Sequence, residues 1–324
     1  MNKIDISIVV PSYNEAESLP ELCAWIDRVM VANALSYEVI IIDDGSTDNQ
    51  WQVLQELSSK NQYIKGLRFK RNYGKSAALN EGFKKVVGEV VITMDADLQD
   101  SPEEIPDLRK MIIEQGFDIV SGWKAKRLDP LSKTIPTKLY NAATRWLTGI
   151  KLHDMNCGLK AYKNEVVKSI EVYGEMHRYI PVIAKGIGFD KIGEKVVEHQ
   201  ARKYGSSKFG LERFVNGFLD LMSITFVTKF RKKPMHFFGG IGTLSFIFGF
   251  VSAFYLISEK MYKMYFLNVP ISEIRGITEQ PLFFLSLVAI ILGVQLFLAG
   301  FLGELIHLNR KRENEYFISD KVNV

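Results

Sequence analysis

The 324-residue sequence has few cysteines, little net charge, no internal repeat and no low-complexity tract. Its two cysteines, Cys23 and Cys157, exclude a disulfide framework and fit a reducing compartment, and neither stands in a recognisable metal-ligand motif. A formal net charge of +4 gives no global argument for binding nucleic acid. The first apolar stretch, residues 4–10, is short and interrupted by Asp5, so no signal peptide is expected there.

Charged side chains are missing from two long segments in the C-terminal third. Residues 235–257 and 281–303 each contain 23 residues without an acidic or strongly basic side chain. Each is long enough to cross about 30 Å of hydrocarbon, and the glycines in both allow two helices to approach closely. The alternative is a pair of soluble core helices, but such helices are seldom apolar all round at this length. The sequence therefore predicts two transmembrane helices, at about 235–257 and 281–306, within a membrane segment 234–308.

The charges that flank these segments predict an orientation. Basic clusters lie at residues 229–233 and 310–312, whereas the connecting segment 258–280 has no excess of positive charge. Because positively charged flanks stay in the cytoplasm, we expect a multi-pass protein of the inner (cytoplasmic) membrane with a short external loop. Residues 209–233 are predicted to form an amphipathic juxtamembrane helix, interfacial or core-packed, and residues 309–324 a cytoplasmic tail.

The first 130 residues alternate between strand and helix patterns. Alternation of this kind predicts an α/β domain, expected over residues 1–208, with a mainly parallel sheet and helices on both faces. The predicted strands are 6–10, 38–42, 64–69, 90–94 and 118–122; the predicted helices are 17–31, 48–59, 76–87 and 102–115. A later strand is expected at 158–162 and an amphipathic helix at 134–147.

Four polar clusters follow the predicted strands at their C-terminal ends. They are residues 11–15, 43–48, 71–75 and 95–97. Ligands of open parallel sheets bind beyond the C-terminal ends of the strands. Four clusters at one edge therefore predict a single site.

Asp95 and Asp97 end the apolar run 90–94. Two carboxylates one residue apart at a buried strand tip need a cation or hydrogen-bonded ligand to offset their desolvation. Hard oxygen ligands of this kind suit Mg²⁺ or Mn²⁺ carrying a diphosphate. A solvated loop is the alternative reading for an isolated pair.

Asp43 and Asp44 end the second predicted strand, before a glycine that permits a tight turn. A carboxylate at this position can accept a hydrogen bond from the imide N–H of a pyrimidine or from a ribose hydroxyl. Helix capping is the alternative role, but Asp48 alone would serve it. The pair is therefore assigned to the nucleotide site.

Residues of the first and third clusters extend this nucleotide site. Tyr13 is placed to flank a base and Glu15 to reach ribose. Lys75 follows Gly74 at a predicted helix start, where free N–H groups point toward the same edge. The Gly-x-x-x-x-Gly-Lys spacing of a P-loop is absent.

Taken together, these motifs resemble a known family. The similarity is to the inverting family 2 glycosyltransferases of GT-A fold, and within them to the polyisoprenyl-phosphate glycosyltransferases. It is carried by Pro11-x-Tyr-Asn-Glu, Asp43-Asp-Gly-Ser-x-Asp, Gly74-Lys-x-x-Ala-Leu, Asp95-Ala-Asp-Leu-Gln-Asp, Asp154-x-x-Cys-Gly-Leu-Lys and the C-terminal hairpin. The resemblance implies transfer of a hexose, with UDP-glucose favoured, from a nucleoside diphosphate sugar to a polyprenyl phosphate such as undecaprenyl phosphate.

The resemblance also implies roles for individual residues. Nucleoside contacts fall on Pro11, Tyr13, Glu15 and Asp44; the metal and diphosphate fall on Asp95, Asp97 and Gln99. Arg127 matches a basic residue near the acceptor phosphate, and Arg202 and Lys208 match the loop that closes over the donor phosphates. The Gln-x-x-Arg-Trp element of processive synthases is absent, so a single transfer is expected.

Asp154 is the remaining catalytic candidate, for orienting the acceptor or taking a residual proton. The alternative for Asp154 is a cap on the strand that follows it. A phosphate monoester has a second pKa of about 6, so it is already largely an anionic nucleophile at neutral pH.

Three alternatives to this function are left open. They are a different donor (a UDP-N-acetylhexosamine or GDP-mannose), a non-prenyl acceptor, and a lipid-binding scaffold with a degenerate transferase domain. A homo-oligomer is also left open.

Overall fold

The computed structural model describes residues 4–125, 141, 142, 144, 145, 148–200, 203, 204 and 234–309. The chain divides into two compact units, Met1–Thr225 and Phe226–Val324. Most of the helix predicted at 134–147, the juxtamembrane segment 209–233 and the tail from residue 310 lie outside the described residues.

The first unit is built on a seven-stranded sheet of order β3-β2-β1-β4-β6-β5-β7. Its strands are β1 (Ile6–Ser12), β2 (Tyr37–Asp43), β3 (Ile64–Arg68), β4 (Val90–Thr93), β5 (Ile119–Trp123), β6 (Lys160–Lys163) and β7 (Ile192–Val196). The neighbouring pairs are parallel except where β6 pairs with β4 and β5, to which it is antiparallel. The prediction of a mainly parallel α/β sheet is thus confirmed, with one reversed strand.

Helices cover both faces of this sheet. They are α1 (Leu19–Ala32), α2 (Gln50–Lys60), α3 (Lys75–Lys85), α4 (Ile105–Ile113), α5 (Asn164–Ser169) and α6 (Ile180–Gly186). The helix predicted at 102–115 is shorter than expected, because its first turn is a separate 3-10 turn, Pro102–Glu104, capped by the hydroxyl of Ser101. Likewise, α3 ends at Lys85 because Val86 is extended.

The core lies in two layers, one on each face of the sheet. One layer packs Ile26 of α1 and Leu108 of α4 against β1 and β4. The other packs Leu79 of α3 and Val166 of α5 against the opposite face. The central strands are buried on both faces, which is why their sequences are continuously apolar rather than alternating.

The second unit contains two long helices, α7 (Pro234–Tyr265) and α8 (Pro281–Asn309). Both are long and apolar enough to cross a membrane, judged by length and composition. They pack closely at glycines: a Cβ added at Gly242 would lie 2.7 Å from the carbonyl oxygen of Gly293. Beside this contact, the hydroxyl of Ser245 donates to the carbonyl of Ala289 at 2.9 Å. Helix α7 continues to residue 265, beyond the predicted span end at 257.

Candidate active site

The loop after β1 rests on the turn after β2. Asn14, in the left-handed region with φ of 56°, donates its N–H to the hydroxyl of Ser46 at 2.9 Å. Its side-chain oxygen accepts from the N–H of Thr47 at 2.8 Å. The N–H of Glu15 donates to the side chain of Gln50 at 2.8 Å. These bonds bring the cluster 11–15, with Pro11, Tyr13 and Glu15, beside the cluster that follows β2.

Asp43 and Asp44 have different surroundings although they are adjacent. Asp43 is fully buried; its carboxylate accepts from the N–H of Ser46 at 2.9 Å and lies 3.3 Å from Nε of Arg68. Gly45, with φ of 72°, makes the turn, and a Cβ there would lie 2.3 Å from the backbone of Arg71. The Asp43 carboxylate is therefore engaged by the turn and by Arg68, and its place in the nucleotide site stays a prediction.

Asp44 ties the loop before α3 to the end of β2. Its two carboxylate oxygens accept hydrogen bonds from the N–H groups of Tyr73 at 2.7 Å and Gly74 at 2.9 Å. Burial raises the pKa of Asp44 above its usual value. The ring of Tyr73 is exposed, and the Arg71 guanidinium lies 4.7 Å from its centroid. Sequence reasoning gave Tyr73 no role.

Lys75, the first residue of α3, forms an ion pair with Asp95 at the end of β4. Burial alone would raise the pKa of Asp95, but the Lys75 ammonium, with a smaller contribution from Lys124, lowers it to about 2. Asp95 is therefore ionised throughout the physiological pH range. The cluster 71–75 and the aspartate pair predicted from sequence do meet at one edge of the sheet.

Asp97 lies in a tight turn just beyond Asp95. Leu98 adopts a positive φ of 60°, and the N–H of Gln99 donates to Asp97 Oδ1 at 3.2 Å. Asp97 itself is buried. Next to it, the N–H of Gln200 donates to the carbonyl of Gln99 at 3.0 Å, so the turn is attached to the segment that leads to residues 201–208.

The chemistry of this donor set fits a divalent cation. Asp95 supplies an ionised carboxylate, and Asp97 and Gln99 supply further oxygen atoms within the same turn. Among residues 4–125, 148–200 and the other described parts, no group of three or more His, Cys, Asp or Glu side chains could hold a metal ion. Two carboxylates complemented by substrate phosphates are a usual arrangement for Mg²⁺. The set is thus suited to a cation that arrives with a diphosphate.

A buried ion pair, formed by Lys124 and Asp100, lies close enough to Asp95 to affect its charge. The ammonium of Lys124 lies 2.6 Å from the carboxylate of Asp100, which is inaccessible to solvent. Although burial disfavours the ammonium, Asp100 raises the pKa of Lys124 above its usual value. Gly158 passes close by: a Cβ there would lie 2.6 Å from Oδ2 of Asp95. Only a glycine at position 158 leaves room for this carboxylate.

Asp154 lies in the segment that leads to β6. It is buried, and its Oδ1 accepts from the N–H of Asn156 at 3.1 Å. The buried amine of Lys160, on β6, donates to the carbonyl of Cys157 and is close enough to both Asp154 and Asp95 to respond to their charges. Burial lowers the pKa of Lys160. Lys160 is therefore the residue that responds to both Asp154 and Asp95, and the strand that follows Asp154 begins at residue 160 rather than 158.

His177 also contacts this edge, and sequence reasoning missed it. Its Nδ1 lies 3.0 Å from the hydroxyl of Ser76 in the first turn of α3, and the same hydroxyl accepts from its N–H at 3.0 Å. Burial, followed by the charges of Lys75 and Arg178, lowers the pKa of His177 to about 2. The ring is therefore neutral. A single histidine in a short 3-10 helix carries no sequence signal, whereas Lys160 stands in the motif that begins at Asp154.

Three predicted site residues, Arg127, Arg202 and Lys208, lie outside the described residues. Between the last two, Lys203 and Tyr204 are described. The ammonium of Lys203 contacts both carboxylate oxygens of Glu21 on α1, at 2.8 and 2.7 Å, and the Tyr204 hydroxyl lies 3.2 Å from one of them.

Comparisons with known proteins show which family this chain resembles in sequence. Residues 7–170 match the family described as glycosyl transferase family 2. The chain is 32% identical over 309 residues to the dodecaprenyl-phosphate galacturonate synthase of Rhizobium johnstonii, covering 94% of this chain and 88% of that protein. It is 32% identical over 323 residues to the undecaprenyl-phosphate 4-deoxy-4-formamido-L-arabinose transferase of Shewanella sediminis, covering 97% and 92%.

Solved structures share the fold at low sequence identity. The glucosyl-3-phosphoglycerate synthase of Mycobacterium tuberculosis, solved with Mn²⁺, UDP-glucose and glycerol 3-phosphate, is 18% identical with a TM-score of 0.52, covering 69% of this chain and 80% of that one. The mannosyl-3-phosphoglycerate synthase of Rubrobacter xylanophilus is 17% identical with a TM-score of 0.54, covering 70% and 75%. The predicted GT-A fold is thereby confirmed.

Proposed function

Because the chain belongs to glycosyl transferase family 2 and is a glycosyltransferase, we propose that it transfers a sugar from a nucleoside diphosphate to a polyprenyl phosphate, with inversion at the anomeric carbon. Relatives named for dodecaprenyl and undecaprenyl phosphate, similar over most of both chains, support this acceptor class. The two long apolar helices support a membrane-embedded enzyme working on a lipid. We place it in the inner membrane, with the catalytic unit in the cytoplasm.

The observation that carries the proposal is the ion pair of Lys75 and Asp95 at the end of β4. Asp95, Asp97 and Gln99 would hold a divalent cation, Mg²⁺ or Mn²⁺, which when bound stabilises the negative charge that develops on the departing diphosphate. Lys75 adds a positive charge beside the same leaving group. Tyr13, Glu15, Asp44 and Pro11 would then contact the nucleoside at the adjoining end of β1 and β2, with Arg202 and Lys208 closing over the phosphates.

The acceptor side is assigned to Asp154 and Arg127. An oxygen of the acceptor phosphate forms the new bond to the anomeric carbon, the bond to the diphosphate breaks, and its electron pair leaves with the nucleotide. Asp154 orients the acceptor or takes its residual proton. Because the phosphate is already largely anionic at neutral pH, a strong general base is unnecessary.

A further part of the proposal is which sugar the enzyme transfers. We favour UDP-glucose as donor, although the relatives are named for galacturonate and formamido-arabinose. The test is a donor panel with purified full-length enzyme and undecaprenyl phosphate. It comprises UDP-glucose, UDP-galacturonate, UDP-4-deoxy-4-formamido-L-arabinose, a UDP-N-acetylhexosamine and GDP-mannose. Glycolipid formation that requires one donor and stops in EDTA supports the proposal. Transfer to glycerol 3-phosphate but not to the lipid would refute the acceptor class, and full turnover in EDTA would refute the metal role.

A further inference from the structure

A glutamate on the edge strand of the sheet holds the segment that carries Asp154. Glu194 lies on β7, in register with Ser121 of β5. Its Oε1 accepts hydrogen bonds from the N–H groups of His153 at 2.7 Å and Asp154 at 3.2 Å. Its Oε2 lies 2.7 Å from Nδ1 of His153. One side chain thus fixes the backbone of two consecutive residues and the ring of the first.

The ring of His153 is held on a second side. It stacks on the indole of Trp123, with centroids 4.1 Å apart and planes 15° from parallel. Because a carboxylate accepts hydrogen bonds, the contact with Glu194 places the ring proton on Nδ1. The other nitrogen, Nε2, has no hydrogen-bond partner among the described residues, and 57% of the side chain is exposed. The ring is therefore oriented, yet one of its polar atoms is left for a ligand.

We propose that Nε2 of His153 contacts the phosphate of the acceptor, and that Glu194 is a positioning residue that orients this ring. The inference rests on the proposed function and extends its acceptor site. A phosphate monoester with a second pKa of about 6 shares a proton readily with an imidazole, whichever of the two carries it. His153 directly precedes Asp154, so it lies at the acceptor side rather than at the nucleoside loops.

An imidazole at position 153 would offset the repulsion between Asp154 and the acceptor phosphate. Asp154 is acidic and its proposed ligand is anionic, so the two repel each other unless a hydrogen-bond donor lies beside them; Nε2 is that donor when the ring holds a second proton, shared with the phosphate. A ring stacked on Trp123 and bonded to Glu194 has already lost its rotational freedom. Binding the phosphate then costs less side-chain entropy than ordering a free lysine would.

The test measures KM for undecaprenyl phosphate and for the nucleotide sugar separately, with full-length protein in detergent. His153→Ala should raise KM for the lipid about tenfold or more, as expected when a hydrogen bond to a charged group is lost. KM for the donor should stay within twofold. His153→Gln, whose amide can still donate to phosphate, should recover part of the loss.

Glu194→Gln tests the positioning role. The amide oxygen can still accept from the two backbone N–H groups, but no carboxylate is left to balance a second ring proton that Nε2 would share with the phosphate. Glu194→Gln should therefore raise KM for the lipid in the same direction as His153→Ala, by a smaller factor. The double variant should be no worse than His153→Ala alone, because the two residues act through one contact.

Glu171→Gln, at an exposed glutamate, is the charge-matched control and should leave both KM values unchanged. The inference is overturned if His153→Ala leaves KM for the lipid within twofold, or raises KM for the donor equally. It is also overturned if the effects of His153→Ala and Glu194→Gln add in full. If the wild-type enzyme transfers no sugar from any donor to undecaprenyl phosphate, the proposed function fails and the inference fails with it.

Discussion

The ammonium of Lys75 forms an ion pair with the carboxylate of Asp95, across the gap between the first turn of α3 and the end of β4. Two further contacts hold that turn of α3 in place. Asp44 accepts the N–H groups of Tyr73 and Gly74, and His177 contacts the hydroxyl of Ser76. The position of the lysine is therefore set by residues of three different segments.

Replacing Lys75 should reduce the affinity for the donor and have little effect on the stability of the folded protein. Lys75→Met removes the positive charge beside Asp95 but retains an unbranched side chain of similar length. We expect KM for the nucleotide sugar to rise by about tenfold, because a hydrogen bond to a charged group is lost. We also expect kcat to fall. Steady-state kinetics and nucleotide titration calorimetry give the measurement. A Lys75→Met enzyme with unchanged affinity for nucleotide would contradict the role given to this residue.

A methyl group at position 158 should disturb the metal site selectively. In Gly158→Ala the new Cβ would lie 2.6 Å from Oδ2 of Asp95, so that carboxylate must move. We expect the concentration of Mn²⁺ needed for half-maximal activity to rise by about tenfold or more, with a change in Tm of only a few degrees. Gly240→Ala on α7, where a Cβ meets no atom within 4 Å, is the matched control. Equal Mn²⁺ dependence in both variants would refute the assignment.

Asp154→Asn should slow the reaction without unfolding the segment. The amide oxygen can still accept the hydrogen bond from Asn156, so local structure is retained. If Asp154 orients the acceptor or takes its proton, kcat should fall by about 10² to 10⁴. Single-turnover kinetics at saturating donor and lipid measure this directly. An Asp154→Asn enzyme with wild-type kcat would leave the side chain of the residue a structural role.

Neutral His177 should make the protein sensitive to acid. Its pKa is about 2 in the fold, where it faces Lys75, Arg178, Lys160 and Asp95, against an ordinary value of 6.5. Below pH 6.5 the unfolded state takes up a proton that the folded state does not, so stability is lost as pH falls. At pH 5.5 the loss is about 1.4 kcal/mol.

The measurement for His177 is thermal unfolding of the full-length protein at pH 7.5 and pH 5.5. A loss of this size lowers Tm by about 3 °C in a domain of this length. His177→Gln lacks the titrating group, so its Tm should fall less on acidification than that of the wild type. An equal fall in both proteins would show that other groups set the acid sensitivity.

Much of the fold was predictable from sequence because buried strands are continuously apolar and their C-terminal ends share one edge of a sheet. That reasoning placed Lys75 and Asp95 together correctly. It did not separate Asp43 from Asp44, since the direction of each carboxylate depends on the turn at Gly45 and on Arg68.

Single residues outside the predicted polar clusters could not be found in this way. His177 and Glu194 reach the site from segments far along the chain, through contacts that tertiary packing alone creates. Their sequence surroundings resemble those of any surface histidine or strand glutamate. The reversed direction of β6 was likewise not predictable, because a four-residue strand carries no mark of its orientation in its sequence.

The orientation of the two apolar helices gives the last prediction. Basic clusters at residues 229–233 and 310–312 flank α7 and α8, and the loop between the helices has no excess of positive charge. Each basic residue near anionic headgroups contributes about 1 kcal/mol, which favours keeping both flanks on the cytoplasmic side.

Both the catalytic unit and the C-terminal tail should therefore face the cytoplasm, where nucleotide sugars are made. Single cysteines placed at Thr278, exposed in the loop between α7 and α8, and at Ser319, with Cys23 and Cys157 replaced, allow this to be measured on intact cells. A membrane-impermeant thiol reagent should label position 278 alone. Labelling at position 319 would refute the hairpin and, with it, the cytoplasmic supply of the donor.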